Sequence, residues 1–163
     1  MEIVEEFEFL KLLYFEVLRY DTPFPVGSPA IFSKETMIGN VKFGPNDAFF
    51  VDMAGCHKDP IEWPEPEKFI PDRFNSDSKW FKRADGSNRN RLAFTPFLGG
   101  KRVCLGKTFA EILVRFTLPL YYTYFDFEFV NEEHKQERPS YILGAKESPV
   151  IPVLMKTRVK VTN

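Results

Sequence analysis

Phe97-Leu98-Gly99-Gly100-Lys101-Arg102-Val103-Cys104-Leu105-Gly106 places a cysteine behind a glycine-rich turn and directly ahead of an apolar, helically spaced run. Glycine tolerates positive φ, so several backbone N–H groups can converge on one point in such a turn. A sulfur at a helix start also faces the positive end of the macrodipole, a setting suited to an anionic ligand. Cys104 is therefore a candidate metal-binding thiolate. The plainer reading, a small buried hydrophobe, suits Cys56 better, because no comparable turn surrounds it.

The same residues admit a competing reading. Gly100 to Thr108 ends in Gly-Lys-Thr, like a phosphate-cradling loop, and Asp126 stands after an apolar run where a magnesium ligand belongs. That loop needs four residues between its glycines, whereas Gly100 and Gly106 enclose five. Thr95-Pro96-Phe97 is also a poor central strand, since proline has no N–H to donate. Nucleotide binding stays as a lower-weight alternative.

Downstream, Phe109, Ile112, Leu113, Phe116 and Leu120 predict a helix over about 106–122, with Pro119 expected to bend or end it. Phe125 to Val130 and Val150 to Val161 read as strands, within a C-terminal region of about 125–161. Upstream, Pro60, Pro64, Pro66, Pro71 and Pro96 interrupt every period over about 59–96, and Lys82 to Arg91 is a polar loop. A long stretch without regular structure needs something specific to hold it. Ahead of it, Ala30 to Phe32, Thr36 to Ile38, Val41 to Phe43 and Ala48 to Met53 read as a small antiparallel meander over about 30–53. Ile3, Val4, Phe7, Leu10, Tyr14, Val17 and Leu18 predict a helix over about 3–20 with one buried apolar stripe, stopped by Pro23 and Pro25.

Near the end of that first helix, Glu16 and Arg19 are i,i+3 neighbours on one face. Arg73 lies in Phe69-Ile70-Pro71-Asp72-Arg73-Phe74, among apolar and proline residues that favour burial. One carboxylate gripped by two guanidinium forks would pin the proline-rich stretch to the helix, and breaking such a network costs about 3–5 kcal/mol.

The chain has 163 residues and a net charge of −1, from 22 Lys plus Arg against 23 Asp plus Glu. That balance, with no basic block, argues against nucleic acid as a partner and against a polybasic membrane tether. Thirteen prolines, about 8% of the chain against an average near 5%, fit the punctuated reading. Two cysteines cannot build a disulfide scaffold, so an intracellular setting is expected. His57 and His134 match no zinc spacing with them and read as ordinary residues. The start, Met1-Glu2-Ile3-Val4-Glu5-Glu6, is no signal peptide, and no stretch is long enough to anchor in a bilayer.

Taken in order, Glu16-x-x-Arg19, Pro71-Asp72-Arg73-Phe74 and Phe97-x-x-Gly100-x-Arg102-x-Cys104-x-Gly106 resemble the C-terminal part of a cytochrome P450, the haem-thiolate monooxygenase family. His57-Lys58-Asp59-Pro60, Trp63 and Pro66 resemble the stretch that precedes its Pro-x-Arg-Phe motif. The resemblance implies an α+β fold, mainly α with small antiparallel sheets: residues 1–163 would be an incomplete, C-terminal and proximal piece of one such domain. It implies haem b, iron protoporphyrin IX, with Cys104 as the axial iron ligand. Arg102 would pair with a propionate, Phe97 would pack beside the sulfur, and Gly100 and Gly106 would let the backbone approach the porphyrin. Glu16, Arg19 and Arg73 would be a structural triad, away from substrate.

The implied reaction inserts one oxygen atom of O2 into a small apolar organic substrate, with electrons from an NADPH-cytochrome reductase or a ferredoxin-type donor. Phe24 to Phe32 and Leu143 to Ser148 resemble the segments on the substrate side. Ala30 stands where many members have another propionate-binding arginine, and Leu113 where the following helix often has glutamate. The expected alternative is a truncated, non-catalytic fragment or remnant, because the oxygen-activating helix and the rest of the N-terminal part, including the membrane anchor of endoplasmic-reticulum members, have no counterpart in the chain. Such a piece is expected to associate or stay loosely packed when purified alone.

Overall fold

A computed structural model describes residues 2–131, 133, 140–142, 145–147 and 151–158. Helix α1 spans Glu2–Tyr20. Its last turn is closed by the amide of Asp21 donating to Val17 O at 2.9 Å and by Thr22 Oγ1 donating to Leu18 O at 3.1 Å. The expected apolar stripe is corrected at this end: the buried residues are Glu16, Leu18 and Arg19, while Val17 is exposed. A charged network, not an apolar seam, decides which face turns inward.

Four short strands follow, β1 Ala30–Ile31, β2 Thr36–Ile38, β3 Val41–Phe43 and β4 Ala48–Phe49. They are nested hairpins rather than a meander, because β4 pairs antiparallel with β1 and leaves β2 to pair only with β3. Gly39, at φ 56°, makes the tight inner turn. Phe32, Phe43 and Phe49 knit the two pairs, the first two stacked at 4.8 Å between centroids. The strand reading of Ala48 to Met53 also stops early. Asp52 accepts from the amide of Gly55 at 2.8 Å and caps a short helix α2, Met53–Lys58.

Residues 59–96 contain 3-10 turns at Pro71–Phe74, Lys79–Phe81 and Arg91–Ala93. Between them and α1 lies an aromatic core. Phe94 is its hub, with ring centroids 4.8 Å from Phe74, 5.8 Å from Phe15, 6.1 Å from Trp63 and 5.3 Å from His57. Trp63 is wholly buried, and its indole N–H donates to Cys56 O at 3.0 Å. Cys56 is half-buried rather than enclosed.

Helix α3 spans Lys107–Tyr124 and carries Pro119 within it. Of the two expectations, bend or end, the second is corrected: the helix runs on five residues past Pro119. Proline forgoes the hydrogen bond to the carbonyl four residues back and crowds that carbonyl, which belongs to Arg115, a residue on the exposed side of the helix. Strand β5, Phe125–Phe129, pairs antiparallel with β8, Val153–Thr157. A hairpin of β6, Ser140–Ile142, and β7, Ala145–Glu147, intervenes, which periodicity did not signal. His134, Leu143, Gly144 and Ser148 lie outside the described residues, as do 159–161 of the longer strand expected there. Among the described residues, no helix is long and apolar enough to cross a membrane.

Candidate cofactor site and the network behind it

Cys104 is held by a loop closed on its own backbone. The Leu98 amide donates to Thr95 O at 3.0 Å, the Val103 amide to Gly100 O at 3.4 Å, and the Cys104 amide to Phe97 O at 2.9 Å. Two residues take the left-handed conformation that turns the chain, Gly100 at φ 64° and, unusually, Leu98 at φ 58°. The Leu98 side chain packs against buried Gly27, where a Cβ would come within 3.0 Å of Leu98 Cδ2. A short 3-10 turn, Gly100–Arg102, then leads through Cys104 into α3, whose first turn follows Gly106.

The surroundings of the sulfur suit a planar anionic ligand with a soft-donor metal. Cys104 is a free, exposed cysteine. A Cβ at Gly106 would stand 3.8 Å from Sγ, and one at Gly99 or Gly100 would meet nothing within 4 Å, so glycine leaves that side open for close approach. The Lys107 amide, first of α3, donates to Cys104 O at 3.3 Å, so the cysteine sits at the positive end of that helix. Lys101, Arg102 and Lys107 are exposed within three residues of it, and Arg102 has no ion-pair partner among the described residues. Phe97 is half-buried, and its carbonyl closes the loop. Iron porphyrin fits this donor set: a cysteine sulfur for the metal, exposed cations for carboxylates and a glycine-lined approach. Among the described residues, no cluster of three or more His, Cys, Asp or Glu offers a competing site.

Magnesium and nucleotide have no such fit. Asp126 accepts from Arg158 Nε at 2.7 Å on the exposed β5–β8 ladder, and residues 95–97 form no strand. The phosphate-loop reading is thereby corrected, since that loop leaves a parallel strand that does not exist in these residues.

Behind the loop, Glu16, Arg19 and Arg73 are wholly buried. Arg19 forks onto Glu16, Nε to Oε2 and Nη2 to Oε1, both at 2.8 Å. It also donates to the carbonyls of His57, Pro66 and Lys68 at 2.9–3.0 Å. Arg73 donates to Glu65 O at 2.7 Å and Lys68 O at 3.3 Å, and its Nε lies 3.4 Å from Glu16 Oε1 without hydrogen-bond geometry. Glu16 Oε1 also accepts the Ile70 amide at 2.7 Å. The two arginines thus satisfy the carbonyls of Pro64, Pro66 and Lys68 in the proline-rich stretch, and add a second donor to Glu65 O, which also accepts the Lys68 amide.

Three further residues escape a reading of the sequence. Arg89 covers the Trp63 ring at 3.9 Å and donates to the carbonyls of Glu62, Arg73 and Trp80 at 2.9–3.3 Å. Burial foremost, then neighbouring Arg73, pushes it down to about 10, so it stays charged at neutral pH. Glu62 accepts from Arg83 and from the Asn90 amide, and the Arg83 hydrogen bond foremost holds its carboxyl below the usual range. His57, wholly buried, bonds on both ring nitrogens, and burial foremost, then Arg19, lowers it to about 4. The two tryptophans were the available hint for Arg89; a buried histidine has no such signature.

The fold and this loop point to one family, and the comparisons with known proteins identify it. Residues 1–151 match the family model for Cytochrome P450, so the chain belongs to that family. It is 30% identical over 154 residues to Cytochrome P450 71A8 of Mentha piperita, covering 93% of this chain and 29% of that protein. It is 31% identical over 150 residues to tabersonine 16-hydroxylase 1 of Catharanthus roseus, covering 92% and 27%. Costunolide synthase of Cichorium intybus is 29% identical over 128 residues, covering 78% and 25%. A retinoic acid-bound cyanobacterial CYP120A1 structure superposes with a TM-score of 0.76 at 23% identity, over 97% of this chain and 34% of that one. The chain therefore spans about a third or less of the proteins it matches. The α+β architecture is the corresponding part of the cytochrome P450 fold.

Proposed function

We propose that this chain supplies the proximal, cysteine-bearing side of a haem-thiolate monooxygenase. The observation that carries the reading is the exposed Cys104 at the head of α3, on a loop closed by its own amide, with glycine clearing one side and an exposed Arg102 two residues before it. Bound haem b would supply the oxygen-activating iron. Cys104 would hold that iron as a thiolate, and the α3 amides would stabilise the sulfur's charge. Arg102 would neutralise a propionate, Phe97 would shield the sulfur from water, and Gly100 and Gly106 would keep the approach open. Glu16, Arg19 and Arg73 would hold the loop's foundation without touching substrate.

For the whole protein the reading is insertion of one atom of O2 into a small apolar organic molecule. Exposed Phe24, Val26 and Ile31 support the apolar character of the substrate side. Electrons would come from an NADPH-cytochrome reductase or a ferredoxin-type donor. The setting would be intracellular, with any attachment to the endoplasmic reticulum made by segments other than the three helices described above.

The test is spectroscopic. Haem added to the chain and reduced under carbon monoxide should give the strongly red-shifted Soret band of thiolate ligation, and Cys104→Ala should abolish it. Absence of that band in the wild type, or an unchanged band in the variant, removes Cys104 from the site.

A further inference from the structure

A backbone amide can only donate, so the Thr95 N–H at 3.0 Å fixes Nε2 of His57 as the acceptor. The ring then carries its proton on Nδ1, which donates to Thr22 Oγ1 at 2.8 Å, and that hydroxyl donates in turn to Leu18 O at 3.1 Å. One proton arrangement satisfies the whole chain of contacts. His57 is thus tied to the end of α1 through Nδ1, to Arg19 through its own carbonyl at 3.0 Å, and to residue 95 through Nε2. Residue 95 is where the cysteine loop begins: Thr95 O accepts from Leu98, and Phe97 O accepts from Cys104. Phe94, one residue earlier, packs on the imidazole at 5.3 Å.

We propose that His57 is a positioning residue for Cys104, anchoring the Thr95 amide and so setting where the Thr95–Cys104 loop stands on the core. Burial alone requires both ring nitrogens to be satisfied; what is particular to His57 is that one of them is satisfied by the first amide of the cysteine loop. Here the atom that reaches the loop is the one a shorter side chain cannot replace. Glutamine can place its amide oxygen near the Nε2 position, whereas asparagine reaches only the Nδ1 position.

The experiment compares the full wild-type chain with His57→Gln and His57→Asn by site-resolved amide hydrogen exchange, which needs no haem. His57→Asn should speed exchange at Leu98 and Cys104 by about tenfold or more, and His57→Gln should restore protection to within about threefold of wild type. The Ile70 amide, held by Glu16, reports the rest of the fold. If Ile70 also loses protection in His57→Asn, the glutamine variant decides. An asparagine variant that leaves Cys104 unaltered, a glutamine variant as exposed as asparagine, or a wild-type Cys104 amide without protection each overturns the proposal. A second arm rests on the haem-thiolate reading: the red-shifted carbon monoxide band should fall in His57→Asn and persist in His57→Gln. The predicted exchange pattern with no such band in any form would defeat the haem reading alone. The band in all forms without the exchange pattern would defeat His57 alone.

Discussion

Glu16, Arg19 and Arg73 are charged and wholly buried, whereas Leu105, Phe109 and Phe116 are apolar and 100%, 70% and 75% exposed. The first region, the end of α1 with the buried parts of residues 57–94, holds its charged side chains against one another and against backbone carbonyls around an aromatic hub, leaving Tyr14 OH and Arg73 Nε without a hydrogen bond. The second, from the cysteine loop through β8, presents apolar side chains outward along α3 and the β5–β8 ladder. The contrast separates two kinds of stability. A satisfied hydrogen-bond network is complete within its own residues, whereas an apolar face is complete only when another surface covers it. The proline-rich region should therefore be the stiffer part of the chain, although it has less regular secondary structure than α3.

The largest effect is expected from Glu16→Ala. It strands two buried guanidinium groups and frees the Ile70 amide, a loss of about 3–5 kcal/mol. Urea unfolding and limited proteolysis within residues 59–96 should both register it. A loss below about 1 kcal/mol, the range of exposed ion pairs, would dissolve the contrast between the two regions.

Acid should act next. His57 has its folded pKa lowered to about 4 from an ordinary 6.5, so below 6.5 the unfolded chain binds the proton that the folded chain refuses. Its contribution is present in full above about 6.5 and drains away as pH falls toward about 4, on the order of 3 kcal/mol in all. Urea midpoints across that window should fall more steeply for wild type than for His57→Gln, which cannot titrate; parallel curves would exclude His57 as the source.

The smallest change in stability belongs to α3. Phe116→Lys should shift the unfolding free energy by less than about 0.5 kcal/mol, because the ring lies 75% exposed, yet it should reduce self-association of the chain. Sedimentation velocity reads the second effect. A marked destabilisation without change in association would mean that the α3 face is already covered within the chain.

Spacing placed Glu16 and Arg19 on one face of a helix, and in the structure they form a two-pronged contact at 2.8 Å. Arg73 could be set beside them because a buried arginine among prolines needs a carboxylate. The glycines around Cys104 were readable for the same local reason, since positive φ at Gly100 is a property of the backbone. Leu98 was not, because a leucine carries no local preference for positive φ and its side chain packs against Gly27, some seventy positions away. The strand order failed for a similar reason. Alternation marks strands but says nothing about which edges meet, and the phenylalanine cluster joining Phe32, Phe43 and Phe49 forms only when β4 returns to β1.

The order of the motifs, by itself, carried the resemblance to the family and hence the kind of fold, while residue type and near-neighbour spacing marked the helix face and the turn, because these act through local geometry that any tertiary setting must respect. Tertiary structure decided which carbonyls the arginines satisfy, which tautomer His57 adopts and which surface stays bare. Those outcomes depend on groups 35 to 54 residues apart meeting within hydrogen-bonding distance, as Thr22 meets His57 and Ile70 meets Glu16, and no linear pattern encodes that encounter.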